Sequence, residues 1–87
     1  MSKNNESIKN KILYRASYRG TKEMDMLMIA FVKSILDEIN INNLNFLDEF
    51  VNLNDEILIS IKKGESDIKF NNDAMIDIVN KFKNFNL

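Results

Sequence analysis

A chain of 87 residues makes one domain at most, expected to bury only about 60–65% of its unfolded surface and to leave little room for an internal pocket. Its 45% hydrophobic and 29% charged residues describe a globular chain, and a net charge of −1 lacks the basic excess typical of nucleic-acid binders. The absence of cysteine and histidine excludes a disulfide framework, thiolate catalysis and histidine metal sites, and removes the commonest general base near neutral pH.

Proline is absent and only two glycines occur, Gly20 and Gly64, so few residues interrupt the long 3.6-residue periodicities. The first helix is predicted from about Glu6 to Tyr18, capped by Asn5. Ile8, Ile12 and Ala16 share one face with Leu13 beside them, and Arg19-Gly20 ends the helix. Thr21 caps the second helix, where Glu23 and Asp25 sit in the turns favoured by anions. Met24, Leu27, Met28, Phe31, Ile35 and Ile39 form its broad apolar stripe. A third helix begins after Asn42 or Asn43 and carries Leu44, Leu47, Phe50 and Val51. Asn54 caps a short fourth helix with Ile57, Leu58 and Ile61, which Gly64 closes. Residues Glu65 to Asn71 read as a loop. Asn72 then caps a fifth helix with Met75, Ile78, Val79, Phe82 and Phe85.

The predicted fold is all-α: a compact bundle of five short helices in a single domain over residues 1–87, with residues 1–5 as a disordered tail. Short connections imply antiparallel neighbours. No apolar run approaches the roughly 18–20 residues that span a bilayer. The opening Met-Ser-Lys-Asn-Asn-Glu has no signal-peptide core. Heavy use of Asn, Ile and Lys points to an AT-rich bacterial genome, and the expected location is the cytoplasm.

One segment differs from the rest. Arg15-Ala16-Ser17-Tyr18-Arg19-Gly20-Thr21-Lys22-Glu23-Met24-Asp25 gathers cations, anions, a tyrosine and a glycine around one helix–helix turn. Two readings stand open on the residues alone. In one, Gly20 and Thr21 are caps and the charges are solvated. In the other, the turn is a recognition surface: glycine permits close approach of a partner backbone, and arginine offers a planar fork for carboxylates or phosphates.

Catalysis fits poorly. Glu23 and Asp25 are two apart on a helix and do not face each other. Lys62-Lys63-Gly64 lacks the rest of a phosphate loop and reads as cations at a helix C-terminus. The spacing of Asp48, Glu49, Asp55 and Glu56 matches no Ca²⁺ loop. Met24 and Met28 belong to the core stripe, and Met26, off the stripe, suits a partner contact.

The stretch Leu13 to Met28 resembles the signature of the succinate dehydrogenase flavinylation factors (SdhE type): an Arg-Gly-x-x-Glu motif, here Arg19, Gly20 and Glu23, followed by Asp25 and an apolar helix. A second pattern, Asp-x-x-Leu-x-x-Trp-x-x-Gly, is matched by Asp55, Leu58 and Gly64, with Ile61 in place of the tryptophan. The resemblance covers residues 8 to 82. It implies a five-helix bundle that is not itself an enzyme. Such an assembly factor binds the succinate dehydrogenase flavoprotein subunit, and in some members the fumarate reductase flavoprotein. It promotes the covalent bond between a partner histidine and FAD. It would bind no cofactor stably, acting on the partner's FAD, and would neither insert in a membrane nor bind nucleic acid. The implied partner-binding residues are Arg15, Tyr18, Arg19, Gly20, Glu23 and Asp25. The rival reading is a small helical adaptor or nucleic-acid-binding domain, against which the acidic pI of about 5.3 argues.

Overall fold

A computed structural model describes residues 2–18, 20–65 and 69–86, with backbone alone for 2–5. It contains five α-helices, α1 (Ser2–Ala16), α2 (Lys22–Ile35), α3 (Leu44–Val51), α4 (Asp55–Lys63) and α5 (Asp73–Asn84), plus one 3-10 turn at Ile41–Asn43. The bundle predicted from periodicity is therefore the bundle observed.

Side-chain caps set most helix starts. Thr21 Oγ1 accepts from the Met24 amide at 3.2 Å, Asn54 Oδ1 from the Ile57 amide at 2.9 Å, and Asn72 Oδ1 from the Ala74 and Met75 amides at 2.9 and 3.2 Å. Each satisfies donors that the first helical turn leaves without partners. Asn40 does the same for the 3-10 turn, accepting from Asn42 at 2.9 Å. α3 begins directly after Asn43, as expected, and Asn43 makes no side-chain cap bond there, the 3-10 turn leading straight into the helix. At the other end of α4, Gly64 adopts φ +73°. Its amide donates to the Ile61 carbonyl and the Glu65 amide to the Ser60 carbonyl, the paired bonds of a Schellman motif.

Two boundaries differ from expectation. The backbone of α1 starts at Ser2, ahead of the expected Glu6 and through the segment expected as a tail; no glycine or proline interrupts residues 2–7. Met1 lies outside the described residues. The second helix stops at Ile35, and Leu36 to Glu38 continue as a turn, so Ile39 contributes to the core from outside the helix.

Seventeen apolar residues form one buried cluster drawn from all five helices, and no polar or charged residue is buried among those described. Phe31 is its centre: its ring lies 5.8 Å from Phe50, 5.1 Å from Phe82 and 5.6 Å from Phe85, in the tilted and edge-on geometries that aromatic rings prefer. The closest helix packing pairs α1 with α2, α1 with α3, α3 with α5, and α4 with α5. Sequence neighbours are thus packed most closely at the two ends of the chain only. At eight residues, α3 is about 12 Å long, and this short rod lies against α1 and α5 instead. The radius of gyration is 12.3 Å, close to the value of about 12 Å for a compact chain of this length. No helix among the described residues is long and apolar enough to cross a membrane.

Candidate functional site

The α1–α2 turn is built from the end of one amphipathic helix and the cap of the next. Ala16 is fully buried and fixes the inner face of α1 at its last turn. The Ser17 hydroxyl donates back to the Leu13 carbonyl at 2.9 Å and the Tyr18 amide to the Arg15 carbonyl at 3.3 Å, so the helix unwinds tightly rather than fraying into solvent. Gly20 then takes φ +117°, a conformation that strains any residue with a Cβ. Among the described residues, a Cβ there would meet only Asp55 Oδ2, at the ordinary contact distance of 3.9 Å. Thr21 closes the turn as the cap of α2, with the Asp25 amide donating to its carbonyl at 2.9 Å.

The implied partner-binding residues fall into distinct environments. Glu23 is exposed in the first turn of α2, and Asp25 is half-buried. Tyr18 is 71% exposed. Arg15 is half-buried, and its Nη1 donates to Asp48 Oδ1 on α3 at 2.8 Å. Lys11 approaches the other oxygen of Asp48 at 4.0 Å. Arg15 is thus held by the protein itself, and it ties α1 to α3. Arg19 lies outside the described residues.

Two residues join the neighbourhood that sequence reasoning left off the site. Asp55, the first residue of α4, stands beside Gly20 although 35 positions separate them, so the two motif patterns meet at one turn. Its signal was present, since Asp55 opens the second pattern. Asp48 had none: an acid on a short helix looks solvated until the fold brings Arg15 to it. Ile61, in contrast, is 3% exposed and belongs wholly to the core. Met26 is 56% exposed, as its place off the stripe predicts.

Lys62 is a structural cation. Its Nζ donates to the Phe82 carbonyl at 2.8 Å and also to the Phe85 carbonyl, and it lies 5.2 Å from the centroid of the Phe82 ring. The free carbonyls at the end of α5 and the ring face attract the cation, but desolvation outweighs them and lowers its pKa.

No group of three or more acidic, histidine or cysteine side chains that could hold a metal occurs among the described residues. Two clefts, both open to solvent, lie away from the turn. One runs between the starts of α3 and α5 beside Phe46, and the other between the ends of α2 and α5 over Phe31, Ile35 and Phe85.

A family model described as flavinator of succinate dehydrogenase matches residues 10–85, all but the first nine and last two residues of the chain. No curated protein and no solved structure matches it significantly. The matched span contains the turn at Gly20, the Arg15–Asp48 pair and the start of α4.

Proposed function

Because the chain belongs to the family of succinate dehydrogenase flavinators, assembly factors for flavin attachment, we propose that it docks on the flavoprotein subunit and promotes covalent bonding of FAD to a histidine there. The family match over residues 10–85 carries this reading. The turn from Arg15 to Asp25 is the proposed docking site, with Tyr18, Arg19, Gly20 and Glu23 at its centre. The protein holds no flavin of its own and acts on that of its partner, in the bacterial cytoplasm. Fumarate reductase flavoprotein is a second client of the same kind.

Attachment requires loss of a proton from the flavin 8α-methyl group, negative charge spread on the ring, and a histidine nitrogen held in attack geometry. The flavin supplies that chemistry. A helper contributes by holding a partner conformation that is rarely populated alone and by keeping water out. Gly20 fits such a role, because its exposed, side-chain-free backbone permits close approach. Glu23 and Arg19 supply polar contacts that fix the pose.

In-gel flavin fluorescence of the denatured flavoprotein subunit reads the covalent product directly. Signal should rise with the wild-type chain and fail to rise with an Arg19→Ala, Glu23→Ala double variant. Gly20→Arg should abolish complex formation. Glu23→Gln should retain full flavinylation, since docking needs its hydrogen-bonding shape and not its basicity; loss with binding intact would make Glu23 a proton acceptor instead. Equal fluorescence with and without the chain would refute the proposed function.

A further inference from the structure

Four of the five methionines fall within the described residues, and the fold sets one of them apart. Met24, Met28 and Met75 belong to the buried cluster, at 8%, 0% and 6% exposure. Met26 is 56% exposed and belongs neither to that cluster nor to the side chains packed against it. Of the exposed residues of α2, which are Lys22, Glu23, Met26, Lys33 and Ser34, it alone is apolar. Core packing therefore does not account for a thioether at this position.

The difference in burial is also a difference in reactivity. Hydrogen peroxide oxidises a thioether on contact: the sulfur lone pair attacks one peroxide oxygen, the S–O bond forms as the O–O bond breaks, and water leaves with both peroxide protons. Sulfur loses two electrons and the peroxide gains them. The product is a sulfoxide, which turns a flexible apolar side chain into a polar one. A sulfur in the packed core reacts only when the structure opens around it, and such opening is rare in the most stable part of a fold. Met26 needs no opening.

Its place gives the oxidation a consequence. Residues three apart on a helix are surface neighbours, so Met26 stands nearly one turn from Glu23 on the exposed side of α2. Glu23 is the acid of the Arg-Gly-x-x-Glu motif and lies within the span matched by the family model. A methionine there offers a soft, adaptable contact, and a sulfoxide oxygen in the same contact is stripped of water without a partner built for it.

We propose that Met26 is an oxidation site: hydrogen peroxide converts it to the sulfoxide while sparing the core methionines, and the sulfoxide weakens docking on the flavoprotein subunit. The selectivity follows from burial alone, and the effect on docking rests on the proposed function.

The test treats the full chain with hydrogen peroxide, removes the reagent, and reads both the site and the affinity. Fragmentation of the tryptic peptide from Glu23 to Lys33 assigns the added oxygen among Met24, Met26 and Met28, and Met75 and Met1 lie on other peptides. Met26 should oxidise at least about tenfold faster than Met24, Met28 or Met75. Comparable rates would overturn the selectivity. The singly oxidised chain should keep its thermal midpoint, as a surface change does, and bind the flavoprotein subunit about fivefold or more weakly. Methionine sulfoxide reductases should restore the affinity. Met26→Leu, of similar volume and without the sulfur, should bind as wild type does and be indifferent to peroxide. Met26→Gln should bind as weakly as the oxidised chain. Oxidation at Met26 with unchanged affinity overturns the proposal and leaves the proposed function standing. A peroxide effect that persists in Met26→Leu assigns it to another residue and overturns the proposal. Failure of the untreated chain to bind overturns both.

Discussion

Ile61 occupies the position at which the family pattern usually has tryptophan, and its burial decides what that difference means. At 3% exposure the side chain fills the core with Leu58, so in this chain the position serves packing. Protein interiors pack at the density of organic crystals, so a core site filled by isoleucine leaves little space for a larger ring. Restoring the family residue should therefore be harmful: Ile61→Trp overpacks the site and should cost about 1–3 kcal/mol. Urea unfolding followed by circular dichroism checks it, and an unchanged or higher midpoint would show that the core has room to spare. The glycines divide differently. Gly64 ends α4 in the left-handed region with φ +73°, a structural duty. Gly20, with φ +117° and, among the described residues, only Asp55 Oδ2 near its missing Cβ, is exposed at its turn.

Helices were legible because each announces itself locally. Thr21, Asn54 and Asn72 each cap the helix that periodicity assigns to them, and Gly64 ends the one before it. Where expectation slipped, the deciding interaction was weak or distant. The start of α1 has no breaker to mark it, and the 3-10 turn at Ile41–Asn43 is fixed by an asparagine cap that looks like any other in an asparagine-rich stretch. At the site, the turn itself was readable from Arg19-Gly20-Thr21, whereas Asp48 and Asp55 enter only through helix packing. Lys62 lies in the last turn of its own helix α4, as its place before Gly64 predicts, and its Nζ also reaches across to close the end of α5, which only helix packing could show. Desolvation lowers its pKa from 10.5. In the window between that lowered value and 10.5, the unfolded chain holds a proton that the folded chain has released, so stability should rise with pH there. Below the window both states are charged and the desolvation penalty is constant. Urea midpoints measured across this alkaline range should rise more steeply for wild type than for Lys62→Met, and parallel profiles would remove Lys62 as the source.

At the scale of the molecule, the core and the proposed docking surface are separable. The aromatic cluster of Phe31, Phe50, Phe82 and Phe85 joins α2, α3 and the end of α5, while Tyr18, Gly20 and Glu23 stand exposed at the α1–α2 turn. A domain of this length has about 4–13 kcal/mol of stability in all, and a buried phenylalanine cut to alanine costs about 3–5. Phe31→Ala should therefore remove much of the fold's margin and lower the thermal midpoint on the order of 15 °C or more. Surface changes away from caps and strained backbone stay within about 0.5 kcal/mol, so Glu23→Ala should melt with wild type. The Arg15–Asp48 pair lies between these extremes, half-exposed and bridging α1 to α3. Its loss in Asp48→Ala should cost about 0.2–1 kcal/mol by the usual worth of such pairs, yet it frees Arg15 to move beside the turn. The expected signature is a small thermal shift with a larger loss of flavinylation at subsaturating concentrations of the chain. A loss that vanishes once the assay is run well below the melting temperature would make Asp48 a stabilising residue alone, and flavinylation that tracks docking rather than melting would place it in the support of the site.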